Sequence, residues 1–244
     1  TKLSGYPSEY RAMVDYQLGL DLQPTNANST GKRLRPLFVL LTTALFGEDW
    51  RNALPAACAV ELLHNFSLVH DDIQDSSEFR RGRQTVWRKW GVAQAINAGD
   101  ALLNLAYLSI FDLQVTLSDQ QVIRVLSLLQ ETCLKLTRGQ HLDMMFEDKS
   151  MISLDDYWQM IQGKTAALLS ASFAAGAIIA GAKGSQLQQM EELGTTLGLA
   201  FQVQDDFLGI WGDERLTGKS IYSDLITRKK SYPVVLGLEH KKVF

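Results

Sequence analysis

Apolar residues recur at three- and four-residue spacings through almost the whole chain, which is the period of helices that bury one face. Ser8–Leu22 predicts a mixed helix on the outside of the fold, followed by a polar loop, Gln23–Gly31. Pro36 stands in the first turn of a helix running to about Phe46, where proline's missing N–H costs nothing. Asp49–Leu54 predicts a turn, and Pro55 starts the next helix. Further helices are expected over Gly91–Val115, Ser118–Phe146, Leu154–Gly181 and Gln186–Trp211. No segment alternates apolar and polar residues as a half-buried strand would, and no short tandem repeat is found. Between Pro55 and Pro233 the chain has no proline, the residue that most often stops a helix. The pattern predicts an all-α fold.

One helix departs from the amphipathic pattern. Residues 166–182, AALLSASFAAGAIIAGA, are apolar and rich in small side chains. The run is short for a membrane span and poor in Leu and Ile. It reads as the closely packed central helix of a bundle, not as an integral membrane segment.

Composition narrows the picture. The 244 residues are 46% hydrophobic and 21% charged, which suits one large domain. The net charge of −3 and the lack of a basic stripe with interleaved aromatics argue against nucleic acid as a partner. Cys58 and Cys133 both lie in apolar helical contexts and are expected to be reduced core residues, as in a cytoplasmic protein.

The candidate chemistry centres on Glu61–Gly91. Asp71 and Asp75 lie one helical turn apart on a common face, with Asp72 beside them. Carboxylates this close resist ionising together unless a cation neutralises them. Oxygen ligation without cysteine suits a hard ion, Mg²⁺ before Zn²⁺, and Mg²⁺ commonly takes its remaining ligands from a substrate's phosphates. Arg80-Arg81-Gly82-Arg83 follows with guanidinium forks suited to phosphate oxygens. Acids alone on a helix are usually a solvated face. These emerge from an apolar segment, Leu62–Val69, and need a partner.

Other stretches point the same way. Lys32 and Arg35 crowd a helix start, where positive charge opposes the macrodipole unless an anion is served. His64 lies two turns before Asp71 on nearly the same face: either a satisfied core histidine or a phosphate donor. Gly163-Lys164-Thr165 places a cation and a hydroxyl just before the small-residue helix. Gln202-Val203-Gln204-Asp205-Asp206 repeats the theme of an apolar helix leading into paired acids, and bundles build metal sites from facing helices in this way. Trp211–Ser231, carrying Lys219 and Lys229, is polar and broken by glycine: a lid or a solvated loop.

Together, the two acid clusters, Gly31-Lys32-Arg33-Leu34-Arg35-Pro36, Arg80-Arg81-Gly82 and Gly163-Lys164-Thr165 resemble the trans-isoprenyl diphosphate synthases of the polyprenyl synthetase family. The likeness runs from about Leu18 to Glu239. It implies an antiparallel all-α bundle around a deep central cavity and a homodimer. It also implies head-to-tail condensation of isopentenyl diphosphate with an allylic diphosphate, using up to three Mg²⁺ ions. By matching position, Asp71, Asp75 and Asp205 would be metal ligands, and Arg80, Lys164 and Lys219 would hold the allylic diphosphate. Lys32, Arg35, His64 and Arg81 would hold isopentenyl diphosphate. Lys164, Thr165 and Gln202 would serve catalysis, the last two facing the developing allylic cation, and Lys229 would belong to a closing lid.

Two departures qualify the resemblance. Gly209 stands where the family's second acid cluster ends in Asp, with Asp213 one turn further, and the chain stops before the family's last helices, as a single domain truncated at its C-terminus would. A terpene cyclase would not need Lys32, Arg35 and Arg81. A silent partner subunit would be expected to have lost part of the first acid cluster. Product length should be set by the cavity floor, at Phe66 and Ser67. An aromatic residue at this position resembles synthases making geranylgeranyl diphosphate, with farnesyl diphosphate next.

Overall fold

The computed structural model describes residues 2–22, 31–212 and 229–240. Its elements are α1 (Ser8–Leu18), α2 (Leu34–Leu45), α3 (Leu54–Gln74), α4 (Val86–Trp90), α5 (Val92–Ile110), α6 (Asp119–Glu147), α7 (Leu154–Ile161), α8 (Ala167–Ile179), α9 (Ser185–Trp211) and α10 (Tyr232–Glu239). The chain is all-α, apart from strands β1 (Phe79–Arg80) and β2 (Arg83–Gln84) among the described residues. It divides into two compact units. Thr1–Ser127 with Ala175–Ala182 makes one, and Leu128–Ala174 with Lys183–Phe244 makes the other.

In the first unit α3 is the buried centre. Val60, Leu63 and Val69 lose essentially all contact with solvent, and most residues from Leu62 to Asp72 are buried on every side of the helix. Its main neighbour is α5, whose buried Ala95, Ala98, Gly99, Leu102 and Ala106 present a shallow surface. Gly99 leaves room there for the His70 ring, since a Cβ would lie 2.2 Å from its Nε2 and would force the ring to move. The helix expected to end at Leu22 stops at Leu18, where Gly19 turns left-handed at φ 69° and caps it. Cys133 is buried as expected, whereas Cys58 is exposed: it falls on the outer side of the first turns of α3.

The second unit contains a break that periodicity does not reveal. The helix expected over Leu154–Gly181 is interrupted by a π-turn, Gln162–Ala166. It lies at a close crossing with α6. A Cβ on Gly139 would lie 2.1 Å from the Lys164 nitrogen, and one on Gly163 2.7 Å from the Lys135 carbonyl oxygen. Beyond the π-turn every residue from Ala171 to Ile179 is buried. No helix among the described residues is long and apolar enough to cross a membrane. Phe146, Ile152, Tyr157, Met160, Ile161 and Val235 form a core against which Leu199, Val203 and Tyr232 pack.

Candidate active site

Consecutive residues on a helix differ by about 100° in direction, so an Asp-Asp pair cannot present both carboxylates the same way. At the end of α3, Asp72 turns inward and is 2% exposed, while Asp71 and Asp75 are partly exposed. Arg80 meets Asp72 with Nε at 2.8 Å and Nη2 at 2.7 Å, both to one oxygen. Burial raises the Asp72 carboxyl's pKa against the opposing pull of Arg80.

Arg80 is delivered by a hairpin that sequence reasoning missed, because strands of two residues are too short to show alternation. Arg80 pairs with Arg83 across the two-residue loop Arg81-Gly82, both with positive φ (52° and 74°), which is the geometry of a type I′ turn. Ser77 accepts hydrogen bonds from the Thr85 hydroxyl and the Trp87 indole, each at 2.8 Å, and so closes the base of this hairpin. The arginines then part company. The Arg81 guanidinium lies against Gly31, where a Cβ would come within 2.6 Å of its Cζ. Arg83 turns away to Asp21, at 2.6 Å, and covers the Tyr16 ring.

Arg35 and His64 meet at 3.4 Å between Nη1 and Nε2. Burial, and after it the charges of Arg35, Arg81 and Arg80, hold the His64 imidazole well below its ordinary pKa, so it is neutral near pH 7. Four of the expected anion-binding residues therefore gather in one place. Lys32 is exposed two residues before α2, and Lys219 lies outside the described residues. Ser67 is buried, donating to the His64 carbonyl at 2.8 Å, and Phe66 packs its ring on His70 at 4.8 Å. No sequence motif marks His70, and the glycine at position 99 that accommodates its ring is the only trace of it in the sequence.

The second unit places Lys164 and Thr165 in the π-turn, a feature often found at functional sites. The Lys164 ammonium pairs with the buried Asp143 carboxylate. The Thr165 hydroxyl donates to Gln202 Oε1 at 2.5 Å, and Gln202 Nε2 donates to Asp206 Oδ1 at 2.8 Å. Asp206 is buried, while Asp205 beside it is exposed: the arrangement of Asp72 and Asp71 over again. Tyr157 and Asp206 were not singled out as site residues, because their meeting depends on packing between α7 and α9. Gly209 is half-buried one turn beyond Asp205, Lys229 is half-buried before α10, and Asp213 lies outside the described residues.

Among the described residues no three His, Cys, Asp or Glu side chains converge as a closed metal cage. Two partly exposed carboxylates one turn apart fit Mg²⁺ nonetheless, since that ion is often held by one or two carboxylates with phosphate and water completing its shell.

The chain thus combines an all-α fold with partly exposed carboxylates at the end of α3 and a guanidinium–imidazole cluster. The chain matches the polyprenyl synthetase family over residues 21–243 and belongs to it. It is 44% identical over 233 residues to a (2E,6E)-farnesyl diphosphate synthase of Mycobacterium tuberculosis, covering 94% of this chain and 64% of that protein. A geranylgeranyl diphosphate synthase of the same organism is 43% identical, with 94% and 65% covered. A crystal structure of a geranylgeranyl pyrophosphate synthase shares the fold with a TM-score of 0.88 at 36% identity, covering 97% of this chain and 68% of that one. The chain thus spans about 64% of the length of the curated relatives it matches.

Proposed function

We propose that the protein catalyses head-to-tail prenyl transfer, joining isopentenyl diphosphate to an allylic diphosphate to give a short-chain polyprenyl diphosphate. The observation that carries this reading is the gathering of Arg35, His64, Arg80 and Arg81, which suits the binding of a diphosphate beside the Asp71–Asp75 pair. The family match runs through both compact units, which supports treating them as one synthase domain.

Asp71, Asp75 and Asp205 are the residues that would hold up to three Mg²⁺ ions, which when bound draw negative charge onto the leaving diphosphate. Arg80, Lys164 and Lys219 add fixed positive charge to the allylic diphosphate as its C–O bond breaks. Asp72 and Asp143 keep Arg80 and Lys164 from swinging to solvent. Lys32, Arg35, His64 and Arg81 hold isopentenyl diphosphate, a site that a cyclase would not need. Thr165 and Gln202 turn oxygen dipoles towards the allylic cation, and a proton is then lost to the departing diphosphate. Water would quench the cation, and Lys229 would help to exclude it from the site.

Phe66 favours geranylgeranyl diphosphate as product, with farnesyl diphosphate next. Both activities occur among relatives of nearly equal identity, 44% and 43%. A homodimer in the cytoplasm completes the proposal. Gly209 alone favours a silent partner subunit, and the intact Asp71–Asp75 pair opposes it.

The test is direct. Purified protein, isopentenyl diphosphate, a labelled allylic diphosphate and Mg²⁺ should give elongated diphosphates; a cyclised hydrocarbon would establish the cyclase, and no product the silent subunit.

A further inference from the structure

One run of hydrogen bonds links α10 to the π-turn, and its direction is fixed from one end. Asp206 Oδ2 accepts from the Tyr157 hydroxyl at 2.7 Å and from the Tyr232 backbone N–H at 2.8 Å. Its other oxygen accepts from Gln202 Nε2 at 2.8 Å. Three donors surround this buried carboxyl, and both of its oxygens are taken up as acceptors. Gln202 must therefore turn its NH₂ towards Asp206 and its carbonyl towards Thr165. That carbonyl takes the Thr165 hydroxyl proton, at 2.5 Å between oxygens. Thr165 is left with its proton committed and its lone pairs to offer.

We propose that Tyr157 and Asp206 are positioning residues: they fix the orientation of the Gln202 amide and, through it, make the Thr165 hydroxyl an acceptor of positive charge. The inference rests on the prenyl-transfer reading, in which Thr165 and Gln202 face a developing cation. Lone pairs stabilise such a cation and an outward O–H would oppose it, so the orientation of one amide decides the sign of the effect. An amide free to rotate would present N–H or C=O to Thr165 at little difference in cost. The buried carboxylate removes that choice. Burial and the Asp206 charge push the Tyr157 phenol well above its ordinary pKa, so it remains a donor throughout the working range.

The same geometry separates the two acids of the second cluster. Asp206 has both oxygens engaged by protein donors and is buried, whereas Asp205 beside it is exposed. The Tyr232 N–H ties the start of α10 to this carboxylate, three residues after Lys229. Seating of that segment and alignment of Thr165 are thereby linked through one group.

The experiment is a double-mutant cycle on steady-state kinetics with isopentenyl and allylic diphosphates. Tyr157→Phe removes a single hydroxyl and should lower kcat about tenfold, with both KM values within about twofold. In a Gln202→Ala background the same change should cost less than about twofold, because the group through which it acts is gone. Equal losses in both backgrounds, or no loss in a folded Tyr157→Phe protein, would overturn the inference. Asp206→Asn is the second variant, since its amide can donate as well as accept and so frees Gln202 to flip. It should lower kcat without moving the Mg²⁺ concentration for half-maximal rate. A raised Mg²⁺ requirement would make Asp206 a metal ligand and sink the proposal. Wild-type protein without elongation would remove the prenyl-transfer reading, and this inference with it. An active wild type with an additive cycle would remove this inference alone.

Discussion

Arg80 holds Asp72 with two nitrogens on a single carboxylate oxygen, at 2.8 and 2.7 Å, and Asp72 is 2% exposed. The pair ties the hairpin to the end of α3 beneath the Asp71–Asp75 face. Breaking a buried pair from one side is more damaging than removing both charges, because the remaining ion stays desolvated. Arg80→Ala should therefore cost about 3 kcal/mol of stability, at the low end for such pairs because the arginine is partly solvated. Adding Asp72→Asn should restore most of that stability and none of the turnover, since Arg80 is also proposed to serve the diphosphate. Thermal melts and rates on the single and double variants check both halves; a double variant no more stable than Arg80→Ala would show that Asp72 is not the charge at issue.

Asp71→Ala or Asp75→Ala should lower turnover by at least about 10²–10³ with the helix content unchanged. Neither carboxylate is deeply buried, so the melting temperature should barely move. Wild-type rates in limiting Mg²⁺ would refute the metal assignment.

Gly209 follows Asp205 by one turn of α9, on the same face. Gly209→Asp supplies a second carboxylate there and should reduce the Mg²⁺ concentration needed for half-maximal rate. A glycine removed from a helix interior should also stabilise the protein slightly, by up to about 0.5 kcal/mol. An unchanged Mg²⁺ titration would make the position irrelevant to the third ion.

Much of this arrangement was legible in the residues, and the parts that were not have a common cause. One-turn spacing is a local property, so Asp71 and Asp75 could be placed on one face without knowing what α3 packs against. Which acid of each pair is buried depends on neighbours far along the chain: Arg80 for Asp72, and Tyr157 with Tyr232 for Asp206. The π-turn at Lys164 arises where Gly139 and Gly163 cross, and each glycine alone looks like a tolerated weak point in a helix. Arg83 looked equivalent to Arg80 and Arg81, until the hairpin register sent it to Asp21.

His64 carries a pH signature. Its pKa lies well below 6.5 in the folded protein, through burial and the charges of Arg35, Arg81 and Arg80. Between that depressed value and 6.5 the unfolded chain binds the proton more readily, so stability should fall as pH drops below about 6.5. His64→Gln should flatten this limb of the stability–pH curve. A bound diphosphate reverses the electrostatic balance and raises the imidazole's pKa, so isopentenyl diphosphate should bind with proton uptake in mildly acidic buffer. Calorimetry in buffers of different ionisation enthalpy measures that uptake; its absence would place the diphosphate away from His64.

Phe66 is the proposed floor for the growing chain. It precedes Asp71 by five residues, roughly 7 Å along the helix axis but about 140° around it. The ring does not sit beneath Asp71; it packs on His70, at 4.8 Å and with 55° between planes. His70 in turn lies against Gly99, so the aromatic stack fills the space between α3 and α5 one turn before the acids. Phe66→Ala should open that space and shift the products longer, and its ring, 6% exposed, should cost about 3 kcal/mol when lost. Ser67→Phe would act oppositely only if Ser67 faced the chain. It lies four residues before Asp71, on the same face of α3, and is buried, so a large residue there should both destabilise the protein and shorten the products. Chromatography of dephosphorylated products from each folded variant separates these outcomes. An unshifted ladder from Phe66→Ala would mean that another side chain measures the product.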